Sequence, residues 1–182
     1  AFRRSVCNNA VTTGVVPCRI RVSLSPYHMR LAAIAVGSNS VHLVVCRIRP
    51  DLSVEVADRE KAMIRIGAGS FGKRHLPEAN IVSALASLGK FKRLAESHNV
   101  DEILVVATSA VREADNGADL ITAARRQLGL RIRVISGLEE ARLIHLAAAH
   151  AIGIGSARAV TIDIGGGSTE ITIGTSARME MG

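Results

Sequence analysis

The sequence predicts an α/β fold in the order β-β-β-α-β-α-β-α, with a further β-turn-β beginning at its end. Composition is the first observation behind this. The 182 residues are 48% hydrophobic but only 2% aromatic, so the core must be built of Val, Ile, Leu and Ala. That mix suits strands buried beneath helices. Second, short apolar runs bounded by Gly, Pro, Asn and Ser recur along the chain. Third, the first three runs follow one another with only tight turns between them, whereas the later ones alternate with helix-length segments.

Taken in order, Leu31–Val36 is an apolar strand ending in Gly37-Ser38-Asn39-Ser40, and Val41–Ile48 is a second strand. Pro50-Asp51 makes a turn, and Leu52–Arg59 alternates as a third strand. Gly67, Gly69 and Gly72 mark a loop. Pro77-Glu78 opens a helix of roughly 20 residues, with Ile81, Leu85, Leu88, Phe91, Leu94 and Ala95 on one face. Ile103–Ala107 is a short buried strand. Asn116 is placed to cap the next helix, which runs to about Leu128 and ends at Gly129. Ile132–Ile135 is a strand, and Ser136-Gly137 leads into a helix over Leu138–Ala151. Ala159–Ile164 then runs into Gly165-Gly166-Gly167-Ser168-Thr169, from which Glu170–Gly174 returns as a strand. Three hairpin strands followed by alternating helices and strands is the order of the ribonuclease-H-like half of actin-like ATPases. The closing strand-turn-strand repeats the opening one, as if a second, duplicated lobe were starting.

Charge divides the chain unevenly. Its formal net charge is +7, yet residues 1–30 hold five arginines and no acid, leaving 18 of the 23 basic residues against all 16 acidic ones. The first 28 residues resemble either an Arg-rich transit peptide or upstream sequence translated in frame, with Met29 as the true start. The second reading is adopted here. The expected organisation is therefore an unstructured or non-native extension over 1–28, a first lobe over 29–157 and the truncated start of a second lobe over 158–182. A nucleic-acid partner is not expected, because the folded part lacks a basic face with stacking aromatics. No apolar run approaches the roughly 20 residues of a membrane span. The three cysteines form no CxxC, which argues against a disulfide framework or zinc site and favours a reducing, cytoplasmic setting. The six histidines are dispersed and are read as non-catalytic. His145 and His150 lie five apart, not at the i, i+4 spacing of a helical metal pair.

Four segments carry candidate chemistry. Glycines in a strand-turn-strand loop let the backbone approach an anion, and successive N–H groups with Ser/Thr hydroxyls form an anion-binding concavity. Ser38, Asn39 and Ser40 offer one such loop; Gly165, Gly166, Gly167, Ser168 and Thr169 offer another. The alternative for each is an ordinary hairpin turn. Asp163, at the end of a buried strand beside the second loop, is a natural metal or water ligand. Arg112, in Ala107-Thr108-Ser109-Ala110-Val111-Arg112-Glu113-Ala114, follows a strand end, where α/β sheets place their sites. It reads either as a bidentate phosphate clamp or as a surface arginine paired with Glu113 or Asp115. Glu139 and Glu140, in Ser136-Gly137-Leu138-Glu139-Glu140-Ala141-Arg142, read as first-turn acids that compensate the helix dipole or as a general base for water.

These four segments, in this order, resemble the exopolyphosphatase / guanosine pentaphosphate phosphohydrolase (Ppx/GppA) family over about Ala32 to Gly174. The resemblance implies an actin-like fold with phosphate loops on two facing lobes. It implies a metal-dependent phosphoanhydride hydrolase, an exopolyphosphatase or guanosine pentaphosphatase, which takes terminal phosphate from polyphosphate or from guanosine pentaphosphate with Mg²⁺. It also implies a homodimer. By position, it makes Glu140 the catalytic base and Asp163 and Glu170 the metal-site acids. Arg112 becomes a phosphate contact, and Ser38, Asn39, Ser40 and Gly165 to Thr169 the phosphate cradle. One departure stands out. The family's first loop reads Ile-Asp-x-Gly-Ser-Asn-Ser, whereas here Ile34-Ala35-Val36 precedes Gly37, so Ala35 occupies the acid position. A non-catalytic phosphate-chain binder or sensor on the same fold is therefore the second reading. A different actin-fold ATPase would lack the Ile-Ser-Gly-x-Glu-Glu-Ala-Arg segment.

Overall fold

The computed structural model describes residues 29–68 and 74–181. The expectations for 1–28, for Gly69 and Gly72, and for Cys7 and Cys18 lie outside the described residues.

Among the described residues, eight strands and four helices follow in the order β1 (Met29–Val36), β2 (Ser40–Ile48), β3 (Val54–Met63), α1 (Glu78–Ser97), β4 (Glu102–Ala107), α2 (Ser109–Glu113), α3 (Gly117–Leu128), β5 (Ile132–Val134), α4 (Gly137–Ile152), β6 (Ala159–Ile164), β7 (Thr169–Gly174) and β8 (Met179–Met181). The expected order is present. One short helix, α2, is added where the Thr-Ser-Ala-Val-Arg segment leaves β4. The third strand runs four residues further than alternation suggested. His42 to Lys61 and Ser40 to Met63 pairing extends it, although its polar residues give no apolar stripe.

β1 to β5 form one sheet in the order β3-β2-β1-β4-β5. The β1–β2 and β2–β3 pairs are antiparallel, and the β1–β4 and β4–β5 pairs are parallel. This meander-then-crossover order is that of the actin-like ATPase fold. One face of the sheet carries Ala32, Ile34 and Val36 of β1, Val41, Leu43 and Val45 of β2, and Val105 and Ala107 of β4, all buried. In antiparallel and parallel pairs alike, directly opposite residues share a face, and the register places these side chains together. Leu88, Phe91 and Ala95 of α1 and Leu120 and Ala124 of α3 complete that core. Phe91 is its largest side chain and is fully buried.

Gly129 ends α3 in the left-handed conformation, with φ +68°, a geometry that favours glycine. Asn116 corrects the capping expectation. It occupies the N-cap position of α3 without a side-chain cap bond. Its Oδ1 instead accepts from Leu76 N at 2.7 Å and its Nδ2 donates to Leu76 O at 3.0 Å, tying the approach to α1 against α3.

β6, β7 and β8 form a second, antiparallel sheet. One of its faces meets α4 through Ala141, His145 and Ala149, which recur every four residues along that helix and are buried. The other face leaves Val160, Ile162, Ile164 and Ile171 exposed. Among the described residues, no helix is long and apolar enough to cross a membrane, and Cys46 is a free, buried thiol.

Candidate active site

The uncovered face of the five-stranded sheet, the start of α4 and the β6–β7 turn enclose a cavity of about 470 Å³. A row of side chains crosses the sheet at its floor. Val106, Ala35, His42 and Lys61 are successive cross-strand partners on one face, and all four line the cavity.

The two glycine-serine turns are copies of one another. Gly37 N donates to Ser40 O at 3.0 Å, and Gly165 N donates to Ser168 O at 2.9 Å. The first turn is braced from behind. Its Asn39 carbonyl accepts from Ile64 N and Arg65 N, at 3.0 and 2.8 Å, and its Ser38 carbonyl accepts from Gly67 N at 3.0 Å. The second turn lies directly against the first. A Cβ on Gly166 would fall 2.3 Å from Asn39 Nδ2, and one on Gly167 would fall 2.3 Å from Ser38 Oγ and 2.8 Å from Ser109 Oγ. These glycines are needed because another loop occupies the space, which goes beyond what a turn requires. The Ser38 and Ser109 hydroxyls are buried and lie 2.9 Å apart in a hydrogen bond.

The Glu139-Glu140 pair divides its roles. Ser136 Oγ caps α4 by accepting from Glu139 N at 3.1 Å, which satisfies one of the open N–H groups of the first turn. The Glu139 carboxylate turns to Arg142 at 3.3 Å and Arg133 at 3.8 Å. Glu140, with a side chain only 12% exposed, points into the cavity and pairs with Arg112 Nη1 at 3.1 Å. The same Nη1 donates to the Ile135 carbonyl at 2.9 Å. Arg112 thus holds Glu140 in place from outside the cavity lining. In this structure its guanidinium is engaged with protein, and the Arg112–Glu113 approach is looser, at 3.6 Å.

Asp163 and Glu170 are directly opposite on β6 and β7, so their carboxylates share a face, and both line the cavity. Like charges in opposite positions repel. Glu170 is 9% exposed and its Oε2 is buried without a hydrogen-bond partner. An orphaned carboxylate oxygen beside a second carboxylate is the environment a hard cation relieves. Mg²⁺ commonly takes only one or two protein carboxylates, keeping water and substrate oxygens for the rest. The donor set fits that ion. Among the described residues, no cluster of three or more His, Cys, Asp or Glu side chains exists to hold a metal by protein alone.

His42 Nε2 lies 2.7 Å from Ser40 Oγ. Burial, and then the Lys61 ammonium, hold its imidazole below the ordinary histidine value. The cavity therefore has one cation, Lys61 on β3, beside a histidine held toward its neutral form on β2, and an acidic wall on α4, β6 and β7.

Of the residues singled out from sequence, Ser38, Asn39, Ser40, Glu140, Asp163, Gly165, Gly166, Gly167, Ser168 and Glu170 line this one cavity. Thr169 does not. It pairs with Ile164, on the exposed face opposite Asp163 and Glu170, so its hydroxyl is turned away from the cradle. Sequence reasoning missed Ser109, Lys61, Leu143 and Ile144. A Ser or Thr at a parallel strand's carboxyl end was the available signal for Ser109. Lys61 had none, because it enters only through strand register.

Fold and site together define a protein of the actin-like ATPase fold whose two glycine-serine turns meet over a cavity with paired carboxylates. The family model of the Ppx/GppA phosphatase family matches residues 44–181. The chain belongs to that family. It is 33% identical over 153 residues to exopolyphosphatase 1 of Mycobacterium leprae, covering 84% of this chain and 45% of that protein. Among solved structures, an exopolyphosphatase from Cytophaga hutchinsonii matches with a TM-score of 0.79 at 30% identity, over 84% of this chain and 48% of that one. The Aquifex aeolicus family member matches with a TM-score of 0.75 at 28% identity, over 85% and 50%. The chain thus spans about half the length of these relatives.

Proposed function

We propose that the full-length protein is a phosphoanhydride hydrolase that releases terminal phosphate from inorganic polyphosphate, with guanosine pentaphosphate a substrate of the same chemistry. The observation that carries this reading is the cavity itself. Two copies of a Gly/Ser turn face each other there, beside an aligned carboxylate on α4 and a carboxylate pair on β6–β7. Backbone N–H groups and the Ser38, Ser40 and Ser168 hydroxyls suit the oxygens of a phosphate. Lys61 and His42 lie where further phosphates of the chain would run.

In this reading Glu140, oriented by Arg112, takes a proton from water as the water oxygen attacks the terminal phosphorus. A new P–O bond forms, the bridging P–O bond breaks, and the shortened chain leaves with the bridging oxygen and its electron pair. A divalent cation between Asp163 and Glu170 would neutralise charge on the phosphate oxygens. The N–H groups of the two turns would stabilise the same charge.

Ala35 favours a second reading. It lies on the cavity floor, where the family's usual aspartate would face the carboxylate pair and its cation. The protein that lacks it is a weaker cation site, and a phosphate-chain binder or sensor results if turnover needs that acid. The test is phosphate release from polyphosphate with Mg²⁺ by the full-length gene product, comparing the natural protein with Ala35→Asp. Release by the natural protein supports the hydrolase. Binding without release, with turnover appearing only in Ala35→Asp, supports the binder.

A further inference from the structure

His145 is fully buried on α4, at the seam with the second sheet. Its Nε2 lies 3.1 Å from the Thr175 carbonyl. A carbonyl has no proton to give, so Nε2 donates. In the neutral ring Nδ1 then accepts a hydroxyl proton. It lies 3.0 Å from Thr172 Oγ1 and 3.3 Å from Thr161 Oγ1. One imidazole thus joins α4 to β6, to β7 and to the turn after β7. The seat is shaped for it, since a Cβ on Gly174 would come within 2.6 Å of Nε2.

The place of this latch in the register is what gives it consequence. Thr161 and Thr172 are cross-strand partners, and the next pair on the same face is Asp163 and Glu170. Two residues along a strand is about 7 Å. On the helix, Glu140 precedes His145 by five residues, a rise of about 7.5 Å. The two arms measured from His145 are nearly equal, and both end in the one cavity that Glu140, Asp163 and Glu170 line.

We propose that His145 is a positioning residue: it holds α4 in register with β6 and β7, and so sets the separation between Glu140 and the Asp163–Glu170 pair. It touches none of the groups proposed to meet substrate. The catalytic meaning of that separation rests on the hydrolase reading above; the latch itself does not.

The test uses the full-length protein with His145→Leu, which removes both polar contacts, and His145→Gln, which keeps a donor near the Nε2 position. Thr172→Val, which deletes one hydroxyl at constant shape, serves where the leucine variant fails to fold. A misplacement of about 1 Å costs roughly 100-fold in rate. His145→Leu is therefore expected to lower kcat by about 10- to 100-fold while KM for polyphosphate and Mg²⁺ affinity stay within about threefold. His145→Gln should recover most of that kcat, and Thr172→Val should show a smaller loss of the same kind. Hydrogen–deuterium exchange should show faster amide exchange over 161–175 in His145→Leu than in the natural protein. Unchanged kcat and unchanged exchange overturn the proposal. So does a parallel fall of kcat, Mg²⁺ affinity and melting temperature that His145→Gln does not reverse, which is the mark of general unfolding. Where the natural protein shows no turnover, the hydrolase reading fails by itself. Exchange over 161–175 then decides the latch: lost protection restored by glutamine supports it, and protection equal to the natural protein overturns it.

Discussion

Replacing Gly167 by alanine tests whether the two turns touch. Its new Cβ would sit 2.3 Å from Ser38 Oγ, 2.8 Å from Ser109 Oγ and 3.1 Å from Ser38 Cβ. Both serines are buried and lie at the edge of the cavity, and their mutual hydrogen bond at 2.9 Å must break to make room. Leaving buried hydroxyls unpartnered costs about 1–3 kcal/mol. For a chain of 182 residues, each kcal/mol moves the melting temperature by about 2–4 °C, so a fall of about 2–12 °C is expected. Gly166→Ala is the control. Its Cβ is just as close to a neighbour, at 2.3 Å, but that neighbour is the end of the Asn39 side chain, which is exposed and swings aside. It should cost no more than about 0.5 kcal/mol. Ser109→Ala removes one of the two obstructing hydroxyls, so the Gly167→Ala/Ser109→Ala double variant should lose less than the two single losses combined. Calorimetric melting of the four variants measures this. Equal costs at Gly166 and Gly167, or strict additivity with Ser109, would refute contact between the turns.

Three further outcomes are expected. Glu170→Gln should raise the melting temperature of the metal-free protein, because it removes the charge from a buried oxygen without a partner opposite Asp163, and should abolish the stabilisation that Mg²⁺ gives to the natural protein; a persisting Mg²⁺ shift in a melting scan would place the cation elsewhere. Glu140→Gln should lower polyphosphate turnover by about 100-fold or more with chain binding nearly unchanged, and equal losses in steady-state rate and in calorimetric affinity would count against a base. Lys61→Gln should raise the titration midpoint of His42 in NMR, since the ammonium disfavours the imidazolium. His42 sits below its unfolded value, so it is stabilising above that value and the stability is lost as pH falls through the folded midpoint; an unchanged midpoint in Lys61→Gln would remove Lys61 from that account.

The parts of the fold that sequence made legible are those where pattern and burial coincide. Ala32, Ile34 and Val36 alternate and are all inward, and α1 buries the Leu88, Phe91 and Ala95 stripe that its periodicity announced. The third strand was read short because Glu60, Lys61, Ala62 and Met63 carry no alternation, and pairing to β2 alone extends it. Asn116 is ambiguous in sequence because a cap and a long-range bridge use the same amide, and only the Leu76 backbone distinguishes them. In the site, Glu139 and Glu140 are indistinguishable by residue type. Helix phase separates them, turning one to Arg133 and Arg142 and the other to the cavity. The contact of Gly167 with Ser38 and Ser109 joins positions far apart in the chain, which no local pattern records.

The β6–β7 hairpin inverts the usual logic of a sheet, and that inversion ties the site to the stability of its own support. A two-layer protein normally turns its apolar face inward. Here the inward face carries Thr161, Asp163, Glu170 and Thr172, while Val160, Ile162, Ile164 and Ile171 are exposed. On the helix side this face meets Ala141, His145 and Ala149, the buried residues of α4. Polar contacts tie the hairpin to the rest of the chain at both ends: the His145 contacts at one end and the meeting of Gly166 and Gly167 with Asn39, Ser38 and Ser109 at the other. The Asp163–Glu170 pair lies between those two attachments. On the proposed reading, a cation or a phosphate bound there would act on an element held by these polar contacts, so ligand binding and hairpin docking should strengthen each other. Disrupting either attachment should weaken ligand binding in proportion to the docking it loses, whereas an equal substitution in the α1–α3 core should lower stability and leave that binding alone.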